Sequence, residues 1–406
     1  MKKQGLMFVF GVLFLYGATK WRTPVFAAES DPSLENKSSK NAAQWRQKMQ
    51  DLYKIMVEIT TDTTSQRRFD APANKSRIEK NVKKLADRAH SLNKKGISPD
   101  ADPTVKILSG LFQDETKRAY SALMSGNRTY ARGALNRVSG YCIACHTRNS
   151  SGPNFSSLPL EPSSKNLFPI EQGRFYAATR QYDRALDLFQ KIAEDPVAPI
   201  QKPIEWEQAI RYGLAIAVRV KNDPDQARAL VERVIGSKNS PYFLKEDALK
   251  WRESIEEWKN ELPRKAVTEE GLHSEAIRLV GQARELQKYP MDHSADILYL
   301  RATPLIHQML QTAPDGRSAQ DGLLLAGLSY EALQTLSIDD FHDLYYQACI
   351  RKVPHTPTAA LCYRRYEQST YFGYTGSAGT SLPEDIKLNL SELQELALPL
   401  GPKAPN

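Results

Sequence analysis

Residues 128–148 of this 406-residue chain read RTYARGALNRVSGYCIACHTR, and the prediction of the fold begins with this stretch. Its apolar and small side chains recur at intervals of three and four residues, a spacing that places them on one face of an α-helix. Cys142, Cys145 and His146 stand at positions i, i+3 and i+4, so one helical face presents all three. The stretch therefore predicts an amphipathic helix over residues 128–146 with a chemically reactive motif at its end.

The same spacing occurs in three segments upstream, at residues 41–62, 76–93 and 104–125. Glycine, proline and asparagine residues separate these segments, as expected of turns between helices. Four amphipathic helices in so short a stretch predict a compact four-helix bundle over residues 41–148.

The C-x-x-C-H motif formed by Cys142, Cys145 and His146 is the attachment signature of c-type haem. In that chemistry two thiols add across the vinyl groups of the haem and the imidazole binds the iron. A redox dithiol would call for a βαβ context, and a zinc site would call for a second Cys or His pair at zinc-ligand spacing, and the sequence shows neither. A chance match stays open. The motif predicts one covalent haem c, with thioethers at Cys142 and Cys145 and with His146 as the proximal ligand.

The beginning of the chain is typical of a secretory signal peptide. Two lysines precede an apolar run at residues 6–16, and small residues at 25–28 precede a polar stretch, which predicts a signal peptide over residues 1–28. Basic residues after the apolar run are atypical, so an uncleaved membrane anchor is the alternative. Residues 29–40 are polar and predict a flexible leader. The expected location is the periplasm, because c-type cytochromes mature outside the cytoplasm.

Charge and the remaining motifs exclude several function classes. The net charge of +8 falls to +4 without residues 1–28, and the basic residues are spread along the chain, so no nucleic-acid signature is present. The sequence has no glycine-rich nucleotide loop, and the histidines of its C-terminal half form no cluster with cysteines or spaced acids. These absences predict a protein that is not an enzyme.

Residues 149–168 are rich in Ser, Pro, Gly and Asn and predict a linker. Beyond it, residues 169–195 resemble a tetratricopeptide (TPR) helix pair, with small and aromatic side chains at Gly173, Tyr176, Tyr182, Ala185 and Phe189. A second pair surrounds Ala215 and Ala227, and a weaker one includes Gly327 and Tyr330. The pattern predicts a TPR-like α-solenoid over residues 169–372, whose groove would bind a protein partner. An unrelated α-bundle that serves as a rigid spacer is the alternative.

Cys349 and Cys362 flank a tight turn between two predicted helices, so antiparallel packing would bring them opposite one another. In an oxidising compartment this predicts a structural disulfide, with two free buried thiols as the alternative. The last segment, 373–406, begins with a Gly-rich stretch that predicts flexibility and continues with a short capping helix at 382–398.

The four-helix unit, with C-x-x-C-H near the end of its fourth helix, resembles the cytochrome c-prime class. Some members of that class leave the iron five-coordinate, with an apolar distal pocket, whereas others take a methionine from the first helix. The run from Trp45 to Met49 is similar to the aromatic-Arg-x-x-Met pattern of the six-coordinate branch. The resemblance implies Met49 as the distal iron ligand. Met56, two turns further along, is a rival, and an open distal site is the third reading.

Two further residue types could serve such a site. Arg46 could contact a haem propionate, as could Arg137, because a guanidinium matches a carboxylate with two hydrogen bonds. His90 lies off the apolar stripe of the second helix, so it is the weakest candidate for an iron ligand.

These observations predict an all-α protein in which an N-terminal four-helix-bundle cytochrome is followed by a TPR-like α-solenoid. The expected function is electron transfer by an exported monohaem cytochrome that docks to a redox protein partner. A gas-binding or sensory haem protein and an envelope scaffold or assembly protein are the alternatives. Bundles of this class often dimerise, so a homodimer stays open. Contact with the membrane is expected only if the signal segment is not cleaved.

Overall fold

The computed structural model describes residues 32–63, 65–92, 102–148, 167–261, 268–289, 292–334 and 341–399. In these ranges the chain forms seventeen α-helices and only two strands of two residues each, so the predicted all-α class is confirmed. No described helix is both long and apolar enough to cross a membrane. The predicted signal peptide and nearly all of the predicted linker lie outside the described residues.

Four long helices account for most of the N-terminal region. They are α1 (Pro32–Thr63), α3 (Lys75–Leu92), α4 (Pro103–Met124) and α5 (Arg128–His146), with a short α2 (Gln66–Asp70) and a 3-10 turn (Pro72–Asn74) between α1 and α3. The starts and ends of α3, α4 and α5 agree with the predicted segments within one residue. Side chains that accept backbone N–H groups mark two of these starts, Asp102 before α4 and Asn127 before α5.

The first helix is longer than predicted. It begins at Pro32, so the leader predicted to be flexible at residues 29–40 is helical over its last nine residues. Proline fits the first turn of a helix, and neither proline nor glycine occurs from residue 33 to residue 63, so nothing interrupts the helix. Long side chains join the exposed side of α1 to α3, through Arg88 with Asp51 and Lys48 with the carbonyl of Ser91.

The C-terminal region continues as a succession of helices, each packed against at least one of its neighbours along the chain. They are α6 (Pro169–Ala178), α7 (Tyr182–Glu194), α8 (Ala198–Gln201), α9 (Pro203–Ala215, continued by a π-helical turn Ile216–Val220), α10 (Pro224–Gly236), α11 (Tyr242–Asn260), α12 (Glu269–Leu286), α13 (Asp296–Thr312), α14 (Arg317–Ala332), α15 (Phe341–Lys352), α16 (Pro357–Gly373) and α17 (Glu384–Ala397).

Two of these helix pairs approach closely at a glycine. A Cβ placed on Gly173 of α6 would lie 2.4 Å from the ring of Phe189 on α7, and one on Gly327 of α14 would lie 2.3 Å from the ring of Tyr346 on α15. Both rings are fully buried, so neither can move aside without disturbing its surroundings.

Alanine at either glycine should therefore destabilise the fold. We expect Gly173→Ala and Gly327→Ala each to lower the free energy of unfolding by about 1–3 kcal/mol, the usual cost of overpacking a core. Gly281→Ala on α12 is the matched control, because no atom lies within 4 Å of its added Cβ. That control should stabilise the helix by about 0.4–1 kcal/mol. Urea denaturation followed by circular dichroism measures all three, and equal effects at the three glycines would contradict the close approach.

The last part of the chain differs from its prediction in one respect. Cys349 of α15 and Cys362 of α16 are joined in a disulfide, the pairing expected from the turn between them. The stretch predicted to be flexible at 373–379 closes instead as a β-hairpin, β1 (Thr375–Gly376) with β2 (Gly379–Thr380). Gly379 has a φ of +97°, which glycine adopts without strain, so this residue permits the tight turn. The predicted capping helix is present as α17.

Candidate functional site

An open cavity lies between α1, α4, α5 and α6. It encloses about 1250 Å³ when the space out to its open mouth is counted. Most of its surface is apolar, and the residues that line it include Met49, Met56, Phe112, Cys142, Cys145, His146 and Phe175. The rings of Tyr53 on α1 and Phe175 on α6 are 5.9 Å apart and connect these two walls. The cavity is therefore closed in part by α6, which the sequence analysis assigned to the repeat region.

The three residues of the C-x-x-C-H motif share the α5 wall of this cavity. Their spacing along the helix places them on one face, and the face turns inward because Ala131, Ala134 and Val138 on the same stripe are fully buried. Both cysteines are free thiols and half-buried. Two thiols and one imidazole thus face one mostly apolar space.

The electrostatics of Cys142 argue against a redox dithiol. Burial, together with the neighbouring Cys145, raises the pKa of the Cys142 thiol to about 12. Reactive dithiols instead lower the pKa of the attacking cysteine, because the thiolate is the nucleophile. The surroundings of Cys142 keep it a neutral thiol at physiological pH.

His146 is held in one tautomer. Its Nδ1 donates a hydrogen bond to the carbonyl oxygen of Ala178 on α6, and a carbonyl can only accept. The proton is therefore on Nδ1 and the lone pair on Nε2. Burial, with the charge of Arg180, lowers the pKa of His146 to about 3, so the ring is neutral near pH 7. A neutral imidazole whose other nitrogen donates to a carbonyl is the usual state of a metal-binding histidine.

The two methionines predicted as rival iron ligands both line the cavity, from the α1 side. Met49 is half-buried and Met56 is buried, so the geometry leaves both as candidates. His90 is exposed and pairs with Gln113, and it is not among the lining residues.

The arginines named from the sequence are elsewhere. Arg46 is exposed on α1 and does not line the cavity, so the structure does not support its predicted contact with a propionate. A helix of this length presents only one face inward, and Arg46 lies on the other face. Arg137 is engaged by Glu115, which accepts hydrogen bonds of 3.1 and 2.8 Å from its Nε and NH2.

Sequence reasoning missed two charged residues on α6, Arg174 and Glu171, which both line the cavity. NH2 of Arg174 donates to Oγ of Ser139 at 2.9 Å, whereas its buried Nε has no hydrogen-bond partner. A buried donor left unsatisfied in this way fits a site for an anionic group. Burial raises the pKa of Glu171 despite the backbone N–H that it accepts from Phe168. Nothing in the sequence indicates that α6 lies beside the C-x-x-C-H motif, because the two are far apart along the chain.

A second polar cluster, which the sequence analysis also missed, lies behind the α4 wall. The fully buried Asp102 accepts hydrogen bonds from Arg148 at 2.5 Å and from Nδ1 of His307 at 2.9 Å. Nε2 of His307 then accepts from the hydroxyl of Tyr330 at 2.7 Å. Arg148 is two residues after His146, so this cluster anchors the chain directly after the motif.

No family model, curated protein or solved structure matches this chain. Within the described part of the chain, no group of three or more His, Cys, Asp or Glu side chains could hold a bare metal ion. A haem iron takes only axial ligands from the protein, so the interpretation of the site depends on the cavity and its motif.

Proposed function

We propose that this chain is an exported monohaem c-type cytochrome that carries electrons. One observation carries the proposal: Cys142, Cys145 and His146 line a mostly apolar cavity whose lining also includes Met49 and Met56. The neutral, oriented imidazole and the protonated Cys142 thiol suit covalent attachment better than they suit thiol redox chemistry.

Different side chains would hold different parts of the haem. Cys142 and Cys145 would form the thioether bonds, Nε2 of His146 would bind the iron, and Arg174 would pair with a carboxylate through its unsatisfied Nε. When bound, haem c supplies a one-electron carrier. The apolar lining would limit the access of water, and a methionine that also bound the iron would raise the reduction potential.

The finer architecture belongs to the same proposal. The four long helices of residues 32–148 are compatible with a cytochrome c-prime-like bundle, and the glycine-to-ring contact between α6 and α7 is what a TPR pair requires. We propose that the helices after residue 167 form a TPR-like solenoid that docks a redox protein partner. The disulfide between Cys349 and Cys362 supports export, because such bonds persist in oxidising compartments.

The direct test is to express the full chain in a host that matures c-type cytochromes. Haem that stays with the polypeptide after denaturation, and that cycles reversibly between two oxidation states, would support the proposal. A chain recovered without covalent haem from a host that matures a control cytochrome would refute it.

The distal ligand gives a separate prediction. We expect Met49→Ala to convert a low-spin protein into a high-spin one that binds CO, and to remove the methionine-to-iron absorption band of the oxidised form. Its reduction potential should fall, because loss of a thioether ligand favours ferric iron. Visible spectroscopy and a redox titration measure both effects.

Met56→Ala is the matched control, since it removes the rival methionine from the same helix. It should leave the spectrum low-spin. The opposite pattern would assign Met56 as the ligand. A wild-type protein that is already high-spin and binds CO or NO would replace electron transfer by the gas-binding function.

A further inference from the structure

The end of α5 and the turn between α6 and α7 are tied by two reciprocal hydrogen bonds. His146, the last residue of α5, donates from its ring to the carbonyl of Ala178, the last residue of α6. Tyr182, the first residue of α7, donates from its hydroxyl to the carbonyl of His146 at 2.6 Å. Terminal carbonyls of helices have no partner within their own helix, so each is available for this second use.

The turn itself, residues 179–181, is fixed by its own contacts. Thr179 donates from Oγ1 to the carbonyl of Phe175 at 2.9 Å, and Nε2 of Gln181 donates to Thr179 Oγ1 at 3.0 Å. Arg184 adds a 2.9 Å hydrogen bond to Gln181. Arg180 holds a φ of +56°, a conformation that a non-glycine residue keeps only where its surroundings impose it. The carbonyl of Ala178 is therefore presented by a rigid element.

We infer that this turn sets the reduction potential of the site, with Tyr182 as the positioning residue. The inference rests on the proposed function and goes beyond it, because it assigns control of the axial histidine to the helices that follow the cytochrome region. A ring N–H that donates strongly to a carbonyl makes the imidazole a better electron donor, which favours ferric iron. Because Tyr182 bonds to the backbone of His146, it keeps the His146 ring aligned with the carbonyl of Ala178.

The consequence concerns the partner of the repeat region. Because α7 begins at the residue that binds His146, a protein that shifts α7 on docking would change the hydrogen bond of the ligand histidine. Helix α7 would then belong to the region proposed to dock the partner and would also carry Tyr182, the residue that positions His146. A bundle that held its haem alone would have no such connection.

The test is Tyr182→Phe in the full chain. The potential should rise, with a three- to tenfold larger ratio of reduced to oxidised protein at a fixed solution potential, and a tenfold change corresponds to about 59 mV for one electron. Solvent exchange of the His146 Nδ1 proton, followed by NMR, should quicken several-fold. Tyr212→Phe on α9 is the control, because its ring stacks on Phe189 at 5.9 Å without contacting the motif. This control should leave both quantities unchanged.

A Tyr182→Phe protein with wild-type potential and wild-type proton exchange would overturn the inference. Failure of this inference can be distinguished from failure of the proposed function. Ring nitrogen NMR also reports the tautomer of His146 in a haem-free chain in which both motif cysteines are changed to serine. In that chain we expect Nδ1 to carry the proton, and the Tyr182→Phe change to weaken that preference. An Nε2-protonated ring in the haem-free chain would also overturn the inference.

Discussion

A chain in which Cys142 and Cys145 are both changed to serine is expected to lose covalent haem completely. A serine hydroxyl does not add across a vinyl group under the conditions that join a thiol to it, so no thioether can form. The cavity would keep its shape and His146 its tautomer, because neither cysteine is a partner in the contacts with Ala178 and Tyr182. Haem staining of a denaturing gel should be negative, and the mass should be that of the polypeptide alone.

The disulfide cysteines provide the matched control. Cys349→Ser with Cys362→Ser also removes two sulfur atoms, but from the contact between α15 and α16. That variant should keep its haem while losing stability, since closing a loop with a disulfide stabilises a fold by about 2–4 kcal/mol. If the first variant kept haem through denaturation, or if the second lost it, attachment at the α5 motif would be wrong.

The helices could be predicted from the sequence to a large extent, and the reasons are local. The apolar stripe of α3 at Ile78, Val82 and Leu85 is fully or nearly fully buried, as its periodicity indicates. Pro103, Asn127 and Pro357 lie at or next to helix starts, where residue type alone carries the information. The start of α1 was missed because residues 32–40 are mostly polar and have no apolar stripe that would indicate a helix.

The site could be predicted on α5, which carries the motif, and on α1, but not on α6. Helical spacing placed Cys142, Cys145 and His146 on one face, and the same reasoning put Met49 and Met56 on an apolar stripe; both sets line the cavity. The positions of Arg174 and of the carbonyl of Ala178 could not be predicted, because residues 149–168 separate α6 from the motif helix along the sequence. A periodicity describes which face of a helix is buried, but it does not describe what packs on that face.

The buried cluster around Asp102 is a second feature that the periodicity of the sequence could not predict. His307 belongs to no sequence motif, and its side chain is fully buried between Asp102 and Tyr330. Its partner is 205 positions away in the sequence. Burial alone would raise the pKa of Asp102, but His307, Arg148 and the N–H of Thr104 outweigh it and hold that pKa at about 2. Burial lowers the pKa of His307 to about 4, against the pull of Asp102.

Asp102→Asn should therefore be among the most destabilising single changes in the chain. It leaves the guanidinium of Arg148, whose side chain is only 5% exposed, buried without its counter-charge. Breaking a buried pair on one side costs about 3–5 kcal/mol. Asp87→Asn is the control, because its pair with Lys83 lies on the surface, where such pairs contribute about 0–1 kcal/mol. Urea denaturation at pH 7 measures the difference, and a loss below about 1 kcal/mol for Asp102→Asn would contradict the role of the pair.

The pH dependence of stability separates the two buried groups. The unfolded chain binds a proton on His307 below about pH 6.5, whereas the folded chain does so only near pH 4, so stability falls as the pH drops through that window. Asp102 contributes stability above its unfolded pKa of 3.8, and this contribution is lost as the pH falls toward 2. Wild type should therefore lose stability in both windows. Asp102→Asn should keep the loss that His307 causes and carry it below pH 4, because without the pull of Asp102 the pKa of the buried His307 falls further. An NMR titration in which the pKa of His307 does not fall in this variant would contradict the coupling of the two groups.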